Sequence, residues 1–280
     1  MRALSGKKEP EQVADALIWH PDVRRMLLTQ KAIAEGGRAM VYGAAKIADQ
    51  MFNAVTEGDQ AKYKKYDDEL GFYTPILKGF LTEMGLDAAN LGIQVFGGHG
   101  YIGEHGMEQI ARDARISTLY EGTTGIQALD LLGRKVLLNT KGKCVRDFSA
   151  TMLRLIKPYS LQRTPMGQMM RTLARRTAQW NVLTTLIMLR ASKDREQVGS
   201  SSVDYLMYSG FVMMAYFWAL QASKAAELLA SGKGKESNDF YTAKIQTAEF
   251  YFARLLPRAD GHYSAALAPT SAVMQMPQEL

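Results

Sequence analysis

Cysteine is almost absent from the 280-residue sequence, since Cys144 is the only one. A single cysteine cannot form an intramolecular disulfide or a multi-cysteine zinc site, so a secreted disulfide scaffold and a zinc finger are both excluded. The count fits a reducing compartment and predicts a cytoplasmic protein. The four histidines, His20, His99, His105 and His262, lack the HxxxH or HxxE spacing of a metal site. We therefore predict no bound metal.

Proline is also scarce, with eight residues in the whole chain. The long runs between the prolines carry apolar residues at helical spacing, and alternating strand patterns are missing. Hydrophobic residues at 47% and charged residues at 22% exclude a disordered or fibrous chain. The sequence therefore predicts an all-α fold, a helical bundle followed by a second helical bundle.

No tract of basic residues stands out, although 34 Lys and Arg against 28 Asp and Glu give a net charge of +6. This mild excess suits phosphorylated ligands better than nucleic acid. The run RTLARRTAQW interleaves Arg171 and Arg175 with Trp180 and could contact nucleic acid, but a solvated helix face explains such a run much better. We expect no nucleic-acid partner.

Long apolar runs are rare as well. The N-terminus reads MRALSGKKEPEQ and shows no apolar core of a signal peptide. The run VDYLMYSGFVMMAYFWALQASK (203–224) is about as long as the ~20 residues of a membrane span. It contains Ser209, Gly210 and Gln221, so we expect a buried bundle helix and no integral membrane span, with a span as the alternative.

Turn signals divide the helical pattern into two units. The polar stretch NTKGKC (139–144) predicts a boundary between a domain over 1–140 and a second domain over 145–280. The second unit should be a four-helix antiparallel bundle, and the tail from 267 onward should be disordered or loosely docked. The predicted helices span 21–51, 69–96, 107–115, a segment from 123 or 124 to 137, 145–157, 166–193, 202–231 and 236–256. The polar stretch over 56–68 predicts an exposed connection or a frayed helix end, and 97–106 predicts a non-helical turn segment.

Two segments carry the densest unusual chemistry, QVFGGHGY (94–101) and LYEGTTGIQ (119–127). Glycines let backbone N–H groups approach phosphates, and a helix N-terminus adds positive charge. The GGHG run lacks the preceding strand of a dinucleotide-binding loop. A helix C-cap followed by a turn is therefore the alternative explanation of these glycines.

Glu121 stands in the turn Tyr-Glu-Gly-Thr, immediately before a predicted helix whose N-cap is Thr123 or Thr124. A carboxylate there could act as a general base if an apolar surround raises its pKa. Stabilisation of the helix N-terminus by its charge is the alternative.

Together, QVFGGHGY and ARDARISTLYEGTTGIQALDLLGRK (111–135) resemble the C-terminal helical domain of the acyl-CoA dehydrogenases, a flavoprotein family. The resemblance runs from about His20 to Leu138. The region from about Val145 is similar to an extra helical domain of longer members, which include bacterial enzymes acting on 3-methylthiopropanoyl-CoA. Members of the family begin with further domains, so this sequence resembles the C-terminal half of a longer protein, incomplete for turnover by itself.

The resemblance implies a role for each matched residue. Glu121 matches the base that removes the α-proton of an acyl-CoA while a hydride leaves the β-carbon for FAD, and Gly122 permits close approach of the acyl chain. The resemblance also implies homo-oligomers, since some FAD contacts reach a neighbouring subunit, and electron-transfer flavoprotein as the acceptor. The implied FAD contacts are Gln94, Val95, Phe96, Gly97, Gly98, Thr123, Thr124 and Gly125.

Two alternatives remain open from the sequence. An acyl-CoA oxidase would share the base and the flavin and pass its electrons to oxygen. A catalytically silent helical interaction module would keep the fold and lack the activity.

Overall fold

The computed structural model describes residues 2–277, and every regular element within them is helical. The all-α prediction is confirmed. The α-helices are α1 (Pro21–Thr56), α2 (Gln60–Phe96), α3 (Gly98–Tyr101), α4 (Met107–Ile116), α5 (Thr124–Leu129), α6 (Lys143–Ile156), α7 (Pro165–Ala191), α8 (Glu196–Ser231), α9 (Asn238–Phe250), α10 (Ala259–Ala266) and α11 (Ser271–Met274). A π-helical stretch, Asp130–Asn139, continues α5, and another, Tyr251–Leu255, continues α9.

Helices α1 and α2 form a long hairpin. Pro21 begins α1 as predicted, because its missing N–H costs nothing in the first turn. Of the two alternatives for 56–68, an exposed connection over the whole stretch is wrong, since only residues 57–59 separate the helices. Asp59 caps α2 by accepting a hydrogen bond from the Lys62 N–H at 2.9 Å. The polar residues that follow form exposed helical turns supported by pairs such as Lys64 with Asp68 at 2.7 Å.

The turn segment over 97–106 is more helical than predicted. It contains α3 and a 3₁₀ turn, Gly103–His105. Gly100 explains the difference, because a Cβ at this position would lie 2.5 Å from the Ile93 carbonyl oxygen. The missing side chain therefore lets the short helix α3 pack directly on the last turns of α2.

Helix α8 is the centre of the fold. It starts at Glu196, six residues earlier than predicted, and its middle, from Tyr205 to Ala215, is buried on all sides. The expectation of a buried bundle helix is thus confirmed. Across residues 2–277, no helix has both the length and the apolar character needed to cross a membrane.

Residues from both halves of the sequence share the hydrophobic core. The indole of Trp218 on α8 donates a hydrogen bond to the Ala32 carbonyl oxygen on α1 at 3.1 Å. The fully buried ring of Trp180 on α7 stacks with Phe72 on α2, their centroids 6.0 Å apart. The division into domains over 1–140 and 145–280 stays a prediction.

The C-terminal region packs against the start of α8. Thr270 is buried, and its hydroxyl lies 3.4 Å from the Gln197 side-chain oxygen. The short helix α11 follows and leaves Val273 and Met274 exposed. The last part of the predicted loose tail, 278–280, lies outside the described residues.

Candidate active site

The turn before α5 holds Glu121 in an unusual backbone conformation. Glu121 has φ 54° and Gly122 has φ 91°, so two successive residues lie in the left-handed region. Such a conformation is uncommon for a residue with a Cβ and often marks a functional turn. The Gln127 side chain donates a hydrogen bond to the Glu121 carbonyl oxygen at 3.3 Å. The φ of Gly122 favours glycine, and a Cβ there would also lie 2.7 Å from the Gln127 amide nitrogen, so that this side chain would have to shift.

Two threonines begin α5 directly after this turn. Thr123 is the N-cap, and its hydroxyl accepts a hydrogen bond from the Ile126 N–H at 3.4 Å, which confirms the predicted cap. Thr124 donates a hydrogen bond to the Glu83 carboxylate on α2 at 2.5 Å. Gly125 follows in the first turn of the helix. The N-terminus of α5 is therefore fastened to α2.

Helix α2 also holds the start of the turn. Lys78 donates a hydrogen bond to the Ser117 carbonyl oxygen at 2.6 Å, and its ammonium lies 5.6 Å from the centroid of the Tyr120 ring. Lys78 and Glu83 were not recognised from the sequence. Their partners lie about 40 residues further along the chain, so no local pattern marks them.

The surroundings of Glu121 differ from the expected apolar pocket. Glu121 is exposed within this chain. Its neighbours Leu119, Tyr120 and Ile126 are large side chains that also remain about half exposed. Within this chain, therefore, no closed apolar pocket buries the carboxylate. Apolar surface concentrated in this way is typical of a contact site for another domain or subunit.

The second predicted segment lies at the C-terminal end of α2. Gly97 ends the helix with φ 64°, and its N–H donates a hydrogen bond to the Gln94 carbonyl oxygen at 3.1 Å. A glycine thus ends the helix, but its ψ of −142° lies outside the left-handed helical conformation of the predicted C-cap. Gln94, Phe96, Gly97 and Gly98 are exposed, and Val95 is half-buried. A Cβ on Gly98 would have no atom within 4 Å, so nothing inside the chain requires glycine there.

The two segments are not brought together within one chain. Thr124 contacts α2 at Glu83, whereas the glycine end begins at Gln94, eleven residues later. At 1.5 Å per residue, this separation is about 16 Å along the helix axis.

The structure gives little support for a nucleic-acid site on α7 or for a metal site. Trp180, the aromatic residue of the basic run on α7, is fully buried and cannot stack on a base. Arg176 in the same run is also buried and paired with Asp260. Among residues 2–277, no three His, Cys, Asp or Glu side chains are grouped so that they could hold a metal ion.

Comparisons with known proteins agree with this arrangement. The family model described as acyl-CoA dehydrogenase, C-terminal domain, matches residues 2–137, and the one described as acetyl-CoA dehydrogenase C-terminal like matches residues 145–277. The 3-methylmercaptopropionyl-CoA dehydrogenase of Ruegeria pomeroyi is 35% identical over 90% of this chain and 42% of its own length. The broad-specificity linear acyl-CoA dehydrogenase FadE5 of Mycobacterium tuberculosis is 32% identical over 85% of this chain and 39% of its own length.

The fold has a counterpart among solved structures. The crystal structure of an acyl-CoA dehydrogenase complexed with FAD from Bacillus anthracis superposes with a TM-score of 0.67 over 90% of this chain and 44% of that one, at 16% identity. This likeness concerns the fold alone. The chain spans less than half the length of these relatives. With matches to both C-terminal family models and the predicted motif turns in place, the chain belongs to the acyl-CoA dehydrogenase family.

Proposed function

We propose that this chain supplies the catalytic base and part of the flavin site of an FAD-dependent acyl-CoA dehydrogenase. The observation that carries the proposal is the Glu121 turn, in which two left-handed residues are fastened by Gln127 directly before α5. A turn with this backbone conformation presents a carboxylate in a defined place while leaving it open to a ligand. The substrate is an acyl-CoA thioester, and the product is the trans-2-enoyl-CoA.

In this mechanism, Glu121 accepts the α-proton of the bound thioester. Among the described residues, the Glu121 N–H makes no hydrogen bond, so it can donate to the thioester carbonyl oxygen as negative charge develops there. Gly122 leaves room for the acyl chain beside the base. A bound FAD would supply the acceptor for the hydride of the β-carbon. The partly exposed apolar side chains Tyr120 and Ile126 would exclude water once the active site is complete.

The residues of the FAD contacts fit a flavin dinucleotide in two separate places. Thr123, Thr124 and Gly125 present hydroxyls and backbone donors at the N-terminus of α5. The second place is the exposed glycine end of α2, where a Cβ at Gly98 would meet open space. The two places are about 16 Å apart along α2. On the family resemblance, we propose that the second place contacts the FAD of a neighbouring subunit in a homo-oligomer, through Gln94, Val95, Phe96, Gly97 and Gly98.

The same proposal covers the electron acceptor, the pathway, the compartment and the roles of the two domains. Electron-transfer flavoprotein is the proposed electron acceptor, and the protein is proposed to act in fatty acid β-oxidation in the cytoplasm, a compartment that suits its single cysteine. Residues 1–140 would form the flavin-binding unit, and residues 145–280 the appended unit.

Substitution of Glu121 tests the proposal. In the flavin-loaded enzyme, Glu121→Gln should retain FAD but slow bleaching of the flavin by acyl-CoA under anaerobic conditions by about 10²–10⁴-fold, as expected for loss of a positioned base. Glu104→Gln is the matched control, because Glu104 is an exposed glutamate in the neighbouring 3₁₀ turn. Bleaching of the Glu121→Gln enzyme at the wild-type rate would refute the assignment. Peroxide formed on re-aeration would favour an acyl-CoA oxidase, and a protein that never binds FAD would favour the silent module.

A further inference from the structure

A pocket of about 710 Å³ lies between the N-terminal part of α2 and helix α6. Buried aromatic rings form its apolar wall, those of Phe72, Tyr73 and Phe148. The Tyr73 and Phe148 rings pack edge-to-face with their centroids 5.5 Å apart. A cavity of this size with an apolar wall and a few polar groups is typical of a small-molecule site.

Two polar side chains in the pocket wall have no partner within the chain. Tyr73 is only 5% exposed, yet its hydroxyl makes no hydrogen bond with any of residues 2–277. Glu69, one helical turn earlier on the same face, is half-buried and makes neither a hydrogen bond nor an ion pair among those residues. Burial raises the pKa of its carboxyl above the ordinary value. Because buried polar groups are normally hydrogen-bonded, this wall lacks a donor that a ligand can supply.

The charged side chains around the pocket are only partly paired. Two exposed lysines pair with an aspartate on their own helix, Lys64 with Asp68 at 2.7 Å and Lys143 with Asp147 at 2.5 Å. Lys65 and Arg154 also line the pocket, and neither forms an ion pair among residues 2–277. Arg154 donates a hydrogen bond to the Thr151 hydroxyl at 2.9 Å, which leaves most of its guanidinium N–H groups for a ligand.

The unpaired charges therefore have both signs, and they lie near one another. The positive charges of Lys65 and Arg154 act against burial and lower the pKa of Glu69, so both lie close enough to influence its carboxyl. A purely cationic ligand would pair with Glu69 and be repelled by the two basic side chains, and a purely anionic ligand would meet the reverse. A ligand that carries both charges close together matches both, and the aromatic wall favours an apolar body.

The pocket is separate from the proposed active site. Glu69 lies fourteen residues before Glu83, the α2 residue that fastens Thr124, and this separation is about 21 Å along the helix axis. The glycine end of α2 is further away still. Binding in the pocket requires no flavin, so failure of the present proposal leaves the proposed role of Glu121 untouched.

We propose that this pocket binds a zwitterionic α-amino acid with a large apolar side chain. The ammonium of the ligand donates hydrogen bonds to the Glu69 carboxylate and to the Tyr73 hydroxyl oxygen, which gives both unpartnered groups a partner. The carboxylate of the ligand accepts from the Arg154 guanidinium, a side chain whose planar geometry suits carboxylates. The apolar side chain packs on the rings of Phe72 and Phe148.

Isothermal titration calorimetry of the 280-residue chain tests the proposal with three probes that share a phenyl ring. L-phenylalanine carries both charges, phenylpropionate lacks the ammonium, and phenylethylamine lacks the carboxylate, so L-phenylalanine should bind most tightly. Glu69→Gln should weaken L-phenylalanine binding about tenfold or more, the usual effect of losing a charged hydrogen bond, and should not weaken phenylpropionate binding. Asp67→Asn is the matched control, because it removes the same charge two residues away and outside the pocket, and it should bind as the wild type does.

Arg154→Gln tests the opposite charge. It should weaken L-phenylalanine binding about tenfold or more and should not weaken phenylethylamine binding. Arg163→Gln, at an exposed arginine of the α6–α7 loop, should bind all three probes as the wild type does. Circular dichroism confirms that each variant is folded.

The single cysteine reports where the ligand binds. Cys144 lines the pocket, so saturating L-phenylalanine should slow the alkylation of Cys144 by iodoacetamide several-fold, as followed by mass spectrometry. The proposal is overturned if L-phenylalanine does not bind at millimolar concentration, if a probe with a single charge binds as tightly, or if Asp67→Asn weakens binding as much as Glu69→Gln. Alkylation of Cys144 at the unliganded rate would overturn it as well.

Discussion

Helices α2 and α8 pack tightly at Gly210, and this contact predicts the cost of adding one methyl group. A Cβ on Gly210 would lie 2.1 Å from Phe80 Cγ and 2.6 Å from Phe80 Cβ. Carbon atoms in good contact are about 3.5–4.0 Å apart, so the helices or the ring would have to shift by more than 1 Å. Phe80 is fully buried and packs edge-to-face with Phe211, with centroids 5.0 Å apart, and cannot turn aside freely.

The expected change in the free energy of unfolding for Gly210→Ala follows from two opposing effects. Alanine favours a helix over glycine by roughly 0.5–1 kcal/mol. Overpacking a full core costs typically about 1–3 kcal/mol, and the upper part of this range applies because the overlap involves the fixed base of the Phe80 ring. Gly210→Ala should therefore lower the free energy of unfolding by about 1–2 kcal/mol.

Gly199 provides the matched control in the same helix. A Cβ at Gly199 would have no atom within 4 Å, so Gly199→Ala should be neutral or stabilising by up to about 1 kcal/mol. Helix propensity cancels between the two variants, and their difference of about 2–3 kcal/mol measures overpacking alone.

Urea unfolding followed by circular dichroism at 222 nm measures both variants. The slope of the free energy against urea concentration should stay unchanged, so that the midpoint reports stability. Equal stability of Gly210→Ala and Gly199→Ala would refute the reasoning. The result also bears on the site, because Phe80 lies one helical turn before Glu83, the residue that fastens Thr124.

Two further predictions concern the N-terminal segment and the glycine end of α2. The N–H groups of Ala3, Glu9 and Lys8 donate hydrogen bonds to Asp15 and hold the pKa of its carboxyl well below the usual 3.8. The stabilisation is thus present above pH 3.8 and is lost as the pH falls below it. Amide hydrogen exchange from pH 2 to 7 should show protection of the Ala3, Lys8 and Glu9 amides declining only at the acid end, whereas Asp15→Asn leaves these amides unprotected throughout. Identical profiles for the two proteins would contradict this. Gly98→Leu should change the free energy of unfolding by less than about 0.5 kcal/mol, as at other open surface positions. The same substitution should weaken oligomer assembly, which analytical ultracentrifugation measures. An unchanged assembly would show that Gly98 is not part of the subunit contact.

Helical periodicity and capping chemistry were sufficient to predict several parts of this protein. The start of α1 at Pro21, the cap at Thr123 and the glycine end at Gly97 follow from local backbone chemistry. Local rules failed over 56–68, where polar residues were predicted as a connection but form exposed helix. A polar helix face and a polar loop have the same composition, and only the cap at Asp59 distinguishes them.

The sequence by itself determined the helical class, the motif turns and the position of Glu121, because each depends on residues close together in the chain. Only the tertiary structure decided how those turns are held. Lys78 and Glu83 fasten the Glu121 turn across about 40 residues. One surface pocket is lined both by Trp19 and Arg24 and by Arg254, which is 230 positions beyond Arg24. Contacts at such separations depend on how whole helices pack, and helix packing is set by the fit of many side chains together.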